Sequence, residues 1–125
     1  MVLVIDDDET VRGLIAAVLS RDGMSLDLVG NRAQAISKLR RNSYRAVLLD
    51  LMLRRSDGLE ILRYLKREKP DMLRRVVLVT TAPEQALRRL SEHDQVWGVV
   101  RKPFDIEHLV AVVRACREQA VEPVN

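Results

Sequence analysis

Four acidic residues in a row, Asp6-Asp7-Asp8-Glu9, follow the apolar run Val2 to Ile5 in "MVLVIDDDET". Close carboxylates repel one another, and their pKa values rise unless a cation neutralises them. Two arrangements relieve that repulsion. The residues splay into solvent at a helix N-terminus, or they hold a hard cation such as Mg²⁺ through oxygen ligands. Further polar residues stand at the ends of later apolar runs: Asp50 after "RAVLL", Thr80 and Thr81 after "VVLV", Lys102 after "WGVVR". Carboxylates, a hydroxyl and an ammonium are the set that phosphoryl transfer requires. Asp6, Asp7 and Asp50 can hold Mg²⁺, which screens an incoming phosphate so that an aspartate, already ionised, attacks phosphorus without a general base. Lys102 supplies a positive charge for one phosphate oxygen, and a threonine hydroxyl donates to another.

These residues meet only if several chain segments end at one edge, and the hydrophobic pattern provides that. Val2 to Ile5 is a short continuous apolar run, expected as a buried strand. Val11, Leu14, Ile15, Val18 and Leu19 recur at helical spacing, and Arg21-Asp22-Gly23 ends the helix. Ser25 to Val29 reads as a second strand. Asn31 caps a helix through Arg41, with Ala35, Ile36 and Leu39 on its apolar side. A third strand spans Arg45 to Leu49, and a helix follows from Leu59 to Glu68, closed by Pro70. Val76 to Thr80 is the fourth strand, and Pro83 opens a helix through Leu90. "WGVVR" is the fifth strand. Asp105 caps a last helix that turns Ile106, Leu109, Val110 and Val113 inward. Continuous apolar strands are buried on both faces, so the expected fold is α/β: one doubly wound, five-stranded parallel sheet with five helices. In such a sheet ligands bind beyond the carboxyl ends of the strands, where all the polar residues named above fall.

Composition agrees with one ordinary globular domain of 125 residues, 47% apolar and 31% charged. No apolar run approaches the roughly 20 residues of a membrane span, and no signal peptide is expected. The single cysteine, Cys116, precludes an internal disulfide and fits a reducing cytoplasm. The net charge is +3, and arginine far outnumbers lysine. The Arg-Arg pairs (Arg40-Arg41, Arg54-Arg55, Arg74-Arg75, Arg88-Arg89) are scattered and lack interleaved aromatics, so they read as solvated helix ends and loops, with no direct nucleic-acid binding.

The motifs together resemble the receiver domain of two-component response regulators (CheY-like, flavodoxin-like fold), from Val2 to about Glu118. "VLVIDDDETVR" is similar to the family's first strand and acidic pair, which maps to Asp6 and Asp7. "VLLDLMLRRSDGLEIL" is similar to the phosphoacceptor segment, which maps to Asp50. "VVLVTTA" carries the switch hydroxyl immediately before Ala, and this selects Thr81. "VVRKPF" carries the Lys-Pro-Phe signature at Lys102, Pro103 and Phe104. The resemblance implies that Asp50 accepts a phosphoryl group from a histidine kinase, a phosphotransfer protein or a small acyl phosphate. It implies Mg²⁺ held by Asp7, Asp50 and the main-chain carbonyl of Met52, with Asp6 assisting through water. Thr81 then moves toward the phosphate and reshapes an output face for an effector or a phosphorylation-dependent dimer. Lys102-Pro103 corresponds to a bond that is usually cis in the family. Such a domain assists its own phosphorylation and dephosphorylation without being a turnover enzyme. The expected layout is a receiver over residues 1–120 and a tail over 121–125.

Three features depart from the family pattern. Arg54 stands where the loop after the phosphoacceptor usually has Pro. Val99 stands where a switch aromatic usually lies, and Trp97 shares its face without being in register. "SEHDQVWG" replaces the usual small-residue turn before the fifth strand. Met52 and Pro83 occupy positions that tune water access to the acyl phosphate; neither positions water, so slow autodephosphorylation is expected.

Two other functions are compatible with parts of the chain. "VLVIDDDET" also resembles the D-x-D-x-T opening of haloacid-dehalogenase-type aspartate phosphatases, read as Asp6, Asp8 and Thr10. That reading leaves Asp50 without a role and lacks the later acidic pair. The other is a receiver-like interaction module that is never phosphorylated. Among the remaining polar residues, Asp8 and Glu9 are read as helix N-terminal acids. Asp57 is read as a turn residue, Thr80 as a main-chain partner and Cys116 as a packed, inert thiol. His93 and His108 have no matching ligands.

Overall fold

The computed structural model describes residues 1–53, 57–90 and 95–119. The elements run β1 (Val2–Ile5), α1 (Glu9–Arg21), β2 (Leu26–Val29), α2 (Arg32–Arg41), β3 (Ala46–Asp50), α3 (Asp57–Glu68), α4 (Pro70–Leu73), β4 (Val76–Thr80), α5 (Glu84–Arg88), β5 (Gly98–Arg101) and α6 (Ile106–Gln119). The strands form one parallel sheet in the order β2-β1-β3-β4-β5. The order reverses direction after β1, and the crevice at that switch opens over the carboxyl ends of β1 and β3.

Burial follows strand position. Every residue of the interior strands β1, β3 and β4 is buried, whereas the edge strands β2 and β5 are only partly covered. Alternation along each strand sends side chains to two cores. Leu3, Ile5, Val47, Leu49 and Leu78 meet Ala35, Leu39, Ile61 and Leu65 of α2 and α3. Val2, Val4, Leu48, Val77 and Val79 meet Ile15 and Leu19 of α1 and Leu109, Val113 and Cys116 of α6. Val, Ile and Leu dominate because strands covered on both faces have no polar side to fill.

Local chemistry explains the helix ends. Asp8 caps α1, its Oδ1 accepting from the N–H groups of Thr10 (2.9 Å) and Val11 (3.2 Å). Asn31 caps α2 by accepting from the Gln34 N–H at 2.9 Å. Gly23 takes φ 86° just past α1, a conformation natural to glycine. The Lys69 ammonium reaches the Leu39 carbonyl near the end of α2, and also lies 3.4 Å from the Arg40 and Asn42 carbonyls.

Several expected boundaries and facings shift. Pro70 opens a further short helix, α4, because its fixed φ and missing N–H suit a first helical position. The described helices therefore number six. β2 begins at Leu26 and β3 at Ala46; Asp50 is the last residue of β3. α3 begins at Asp57, placing that residue in a first helical turn, where acids are favoured. α5 ends at Arg88, and β5 starts at Gly98, one residue after Trp97. Trp97 is 39% exposed, although its N–H still donates to the Val76 carbonyl at 2.8 Å. Leu14 and Ile106 are exposed. The buried stripe of α1 centres on Ile15 and Leu19, leaving Leu14 on its flank, and Ile106 lies in the first turn of α6 over a shallow groove between α1 and α6. Arg54 and Arg55, the whole of "SEHD" with His93, and the 121–125 tail with residue 120 lie outside the described residues.

Candidate functional site

Three carboxylates converge above the carboxyl ends of β1 and β3. One oxygen from each of Asp6, Asp7 and Asp50 lies within 4.8 Å of the others. Asp6 and Asp50 are nearly fully buried, at 1% and 5% exposure, and Asp7 is the most open of the three. The Asp8 N–H donates to Asp6 Oδ1 at 2.9 Å, while Asp6 Oδ2 is buried and has no hydrogen-bond partner among the described residues. The Arg12 guanidinium donates to the Asp6 main-chain carbonyl at 2.7 Å, fixing the backbone rather than the carboxylate.

Asp50 is held on both oxygens. The Met52 N–H donates to Oδ1 at 2.9 Å, and Lys102 Nζ donates to Oδ2 at 3.2 Å. The same ammonium lies 3.7 Å from the unpartnered Asp6 Oδ2. Burial pushes the Asp6 carboxyl up, and the neighbouring Asp50 charge pushes it the same way; the Asp8 N–H and Lys102 pull it down. One ammonium thus serves two buried carboxylates, with a third close by. Clustered carboxylate oxygens, one of them buried and without a hydrogen-bond partner among the described residues, are the hard donors that a divalent cation takes, so this donor set fits Mg²⁺.

The flanking residues fall as follows. Thr80 is fully buried at the end of β4 and its Oγ1 accepts from the Ala82 N–H at 2.9 Å, the main-chain role expected of it. Thr81, one residue further, is exposed. The Lys102-Pro103 peptide bond is cis, and the Lys102 N–H donates to the Thr80 carbonyl at 3.0 Å. Met52 is exposed, with its N–H turned to Asp50. Asp8 turns away to cap α1 and is not among the clustered carboxylates, which removes the second aspartate of a D-x-D-x-T motif from the site.

Three supporting residues carry no motif signal. Gly58 sits so close to β3 that a Cβ there would meet the Leu51 carbonyl oxygen at 2.6 Å and the Asp50 carbonyl oxygen at 3.1 Å. The D-G dipeptide reads as a turn, and this close approach appears only in three dimensions. Arg12 and Arg101 are two more arginines in an arginine-rich chain, and nothing in their spacing tells how far they reach.

A five-stranded parallel sheet with order 2-1-3-4-5 that gathers an acidic triad beside a lysine at its carboxyl edge is the arrangement expected of a receiver domain. The family model described as "Response regulator receiver domain" matches residues 2–114, and the chain belongs to that family. Response regulator MprA from Mycobacterium sp. (strain KMS) is 36% identical over 115 residues, covering 91% of this chain and 49% of that protein. The Mycobacterium leprae (strain TN) MprA is 34% identical over the same length. The chain therefore spans about half the length of the curated relatives it matches. Among solved structures, a CheY-like receiver domain protein from Methanospirillum hungatei JF-1 superposes with TM-score 0.84 at 18% identity, covering 96% of this chain and 94% of that one. The Thermotoga maritima response regulator TrrA, solved with Mg²⁺ and BeF, superposes with TM-score 0.79 at 25% identity, covering 92% and 96%. No helix among the described residues is long and apolar enough to cross a membrane.

Proposed function

We propose that Asp50 is the phosphoacceptor of this receiver domain and that the acidic cluster holds Mg²⁺ for the reaction. The observation that carries this reading is the pairing of Asp50 Oδ2 with Lys102 at 3.2 Å beside the unpartnered Asp6 oxygen. Asp7, Asp50 and the Met52 carbonyl would hold the ion, with Asp6 acting through water, and it would supply neutralising charge for an incoming phosphate. An Asp50 oxygen forms the new bond to phosphorus as the P–N bond of a phosphohistidine, or the P–O bond of an acyl phosphate, breaks. The leaving group carries away the electron pair. Lys102 then faces a phosphoryl oxygen in place of a carboxylate, and Thr81 donates its hydroxyl to another. Catalysis on this reading consists of positioning and charge stabilisation.

The structure of TrrA with Mg²⁺ and BeF supports the same ligand chemistry here. The natural partners on this reading are a histidine kinase or phosphotransfer protein and an effector, in the cytoplasm. The receiver unit is taken as residues 1–120, with 121–125 as a tail, and a phosphorylation-dependent dimer is one form the output takes. The chain assists its own phosphorylation and dephosphorylation without turning over a substrate as an enzyme does.

The test is intact mass after incubation with acetyl phosphate, with Mg²⁺ or with chelator, for the wild type and Asp50→Asn. Gain of one phosphoryl group that needs Mg²⁺ and disappears in Asp50→Asn is the expected result. No adduct under any condition, including with an active histidine kinase donor, contradicts it and leaves a docking module.

A further inference from the structure

β5 ends in Arg101 and is followed at once by Lys102, and the two cations do different things. Lys102 faces the acidic cluster, whereas Arg101 turns to the segment that carries Thr81. Alternation puts Val99 and Arg101 on one face of the sheet and Val100 on the other. Val99 packs toward the α2–α3 core and Val100 is part of the α1–α6 core. Val99 stands where a switch aromatic is expected, and its short side chain cannot extend to the loop above it. Arg101 is the next residue on that same face and pairs in register with Thr80. Its guanidinium spans the segment after β4, donating through Nη1 to the Ala82 carbonyl and through Nη2 to Glu84 Oε2 at 2.7 Å. Ala82 is held from the other side as well, by its N–H on Thr80 Oγ1. Glu84 also lies 3.7 Å from Arg88. Thr81 is therefore exposed between two anchored neighbours.

We infer that Arg101 is a positioning residue for Thr81: it clasps the Ala82–Glu84 segment in its resting place and sets how readily Thr81 swings to a phosphoryl oxygen on Asp50. The inference rests on the roles proposed above for Asp50 and Thr81, and adds the device that governs the movement. The clasp is suited to opening. Arg101 and Glu84 side chains are 41% and 55% exposed, so their attraction is screened and modest. The planar fork of arginine grips a carbonyl and a carboxylate at once, and a lysine ammonium does not reproduce that geometry.

The experiment is a titration of the full chain with beryllofluoride, a tetrahedral phosphoryl mimic, in the presence of Mg²⁺. Binding is followed at the Ala82 amide by NMR, with a thermal midpoint for each variant. Arg101→Gln and Glu84→Gln each break the clasp from one side and tighten the apparent affinity by about three- to fivefold, the scale of an exposed ion pair. Arg101→Lys falls between them and the wild type. In a Thr81→Ala background the gain from Arg101→Gln vanishes, because the clasp acts through that hydroxyl. An unchanged affinity in both Arg101→Gln and Glu84→Gln overturns the inference, as does an equal gain without Thr81. A wild-type chain that binds no beryllofluoride fails at an earlier point, overturning the phosphoacceptor reading and this inference with it.

Discussion

Lys102 Nζ lies 3.2 Å from Asp50 Oδ2 and 3.7 Å from Asp6 Oδ2, joining the end of β5 to the ends of β3 and β1 through a single ammonium. Among the described residues this one ammonium is shared by two buried carboxylates, an arrangement receptive to further positive charge. It also makes Lys102 a separable component. Lys102→Gln removes the charge that faces the phosphoryl oxygens and leaves the three aspartates in place. The rate of labelling by acetyl phosphate is expected to fall by about tenfold or more, equivalent to at least about 1.4 kcal/mol of lost transition-state stabilisation. Mg²⁺ affinity should hold or tighten, since a competing cation has gone. Parallel loss of both would show that the lysine maintains the fold of the site rather than the chemistry.

Gly58 tests how the acceptor strand is seated. A methyl at this position meets the Leu51 carbonyl oxygen at 2.6 Å, and the obstacle is backbone, which cannot rotate away. Gly58→Ala is expected to cost about 1–3 kcal/mol in urea unfolding, the usual range for overpacking. Because the displaced segment carries the Met52 N–H that binds Asp50, labelling should slow as well. A variant of unaltered stability would mean that α3 shifts freely on the sheet.

The lifetime of the phosphorylated form follows from what lines the acceptor. Met52 is exposed beside Asp50, and its thioether has no strong group to orient an attacking water. Slow loss of the phosphoryl group is expected once the donor is removed, and Met52→Asn should hasten it several-fold by offering water a polar partner. Time courses of intact mass after desalting measure both. Rapid loss from the wild type would contradict this account of the site.

Cys116 makes a prediction about alkaline pH. Burial pushes its thiol from an ordinary 9.0 up to about 12. Below pH 9 the thiol is neutral in folded and unfolded chains alike, so stability is unaffected. Above pH 9 the unfolded chain ionises while the folded one resists, and stability is lost progressively until the pH passes about 12. Tyr44, raised by burial and by its bond to Asp27, adds to the loss at the upper end. Cys116→Ala should be less stable at pH 7, where it leaves a cavity, yet show a shallower decline between pH 9 and 11. Parallel declines in urea unfolding for the two chains would exclude the thiol as a contributor.

The acidic cluster and Lys102 were readable from sequence because each ends an apolar run, and in a parallel sheet those ends share one edge. The cap at Asn31 is readable for a similar reason, since a polar residue just before a periodic segment has one common use. Asp8 reads only as a helix N-terminal acid, and its capping bonds appear in the fold. What escaped was whatever depends on width or reach. Helical spacing placed Leu14 and Ile106 on apolar faces, but it does not reveal how wide a stripe the sheet covers. Pro70 reads as a stop in the sequence, although the same fixed φ also suits the start of α4. Arg12 and Arg101 act through the distance their side chains span, and an arginine-rich sequence gives no hint of which arginines do so. Gly58 looked like part of a turn because its closeness to the β3 backbone involves residues that only the fold brings together.

The central claim is that Asp50, and not Asp6, carries the phosphoryl group, and trapping the acyl phosphate tests it most directly. Borohydride reduces a phosphorylated aspartate to homoserine, which peptide mass spectrometry assigns to a position. After labelling with acetyl phosphate and Mg²⁺, homoserine is predicted at residue 50 alone. Homoserine at residue 6 would contradict the account and assign the chain the chemistry of an aspartate phosphatase.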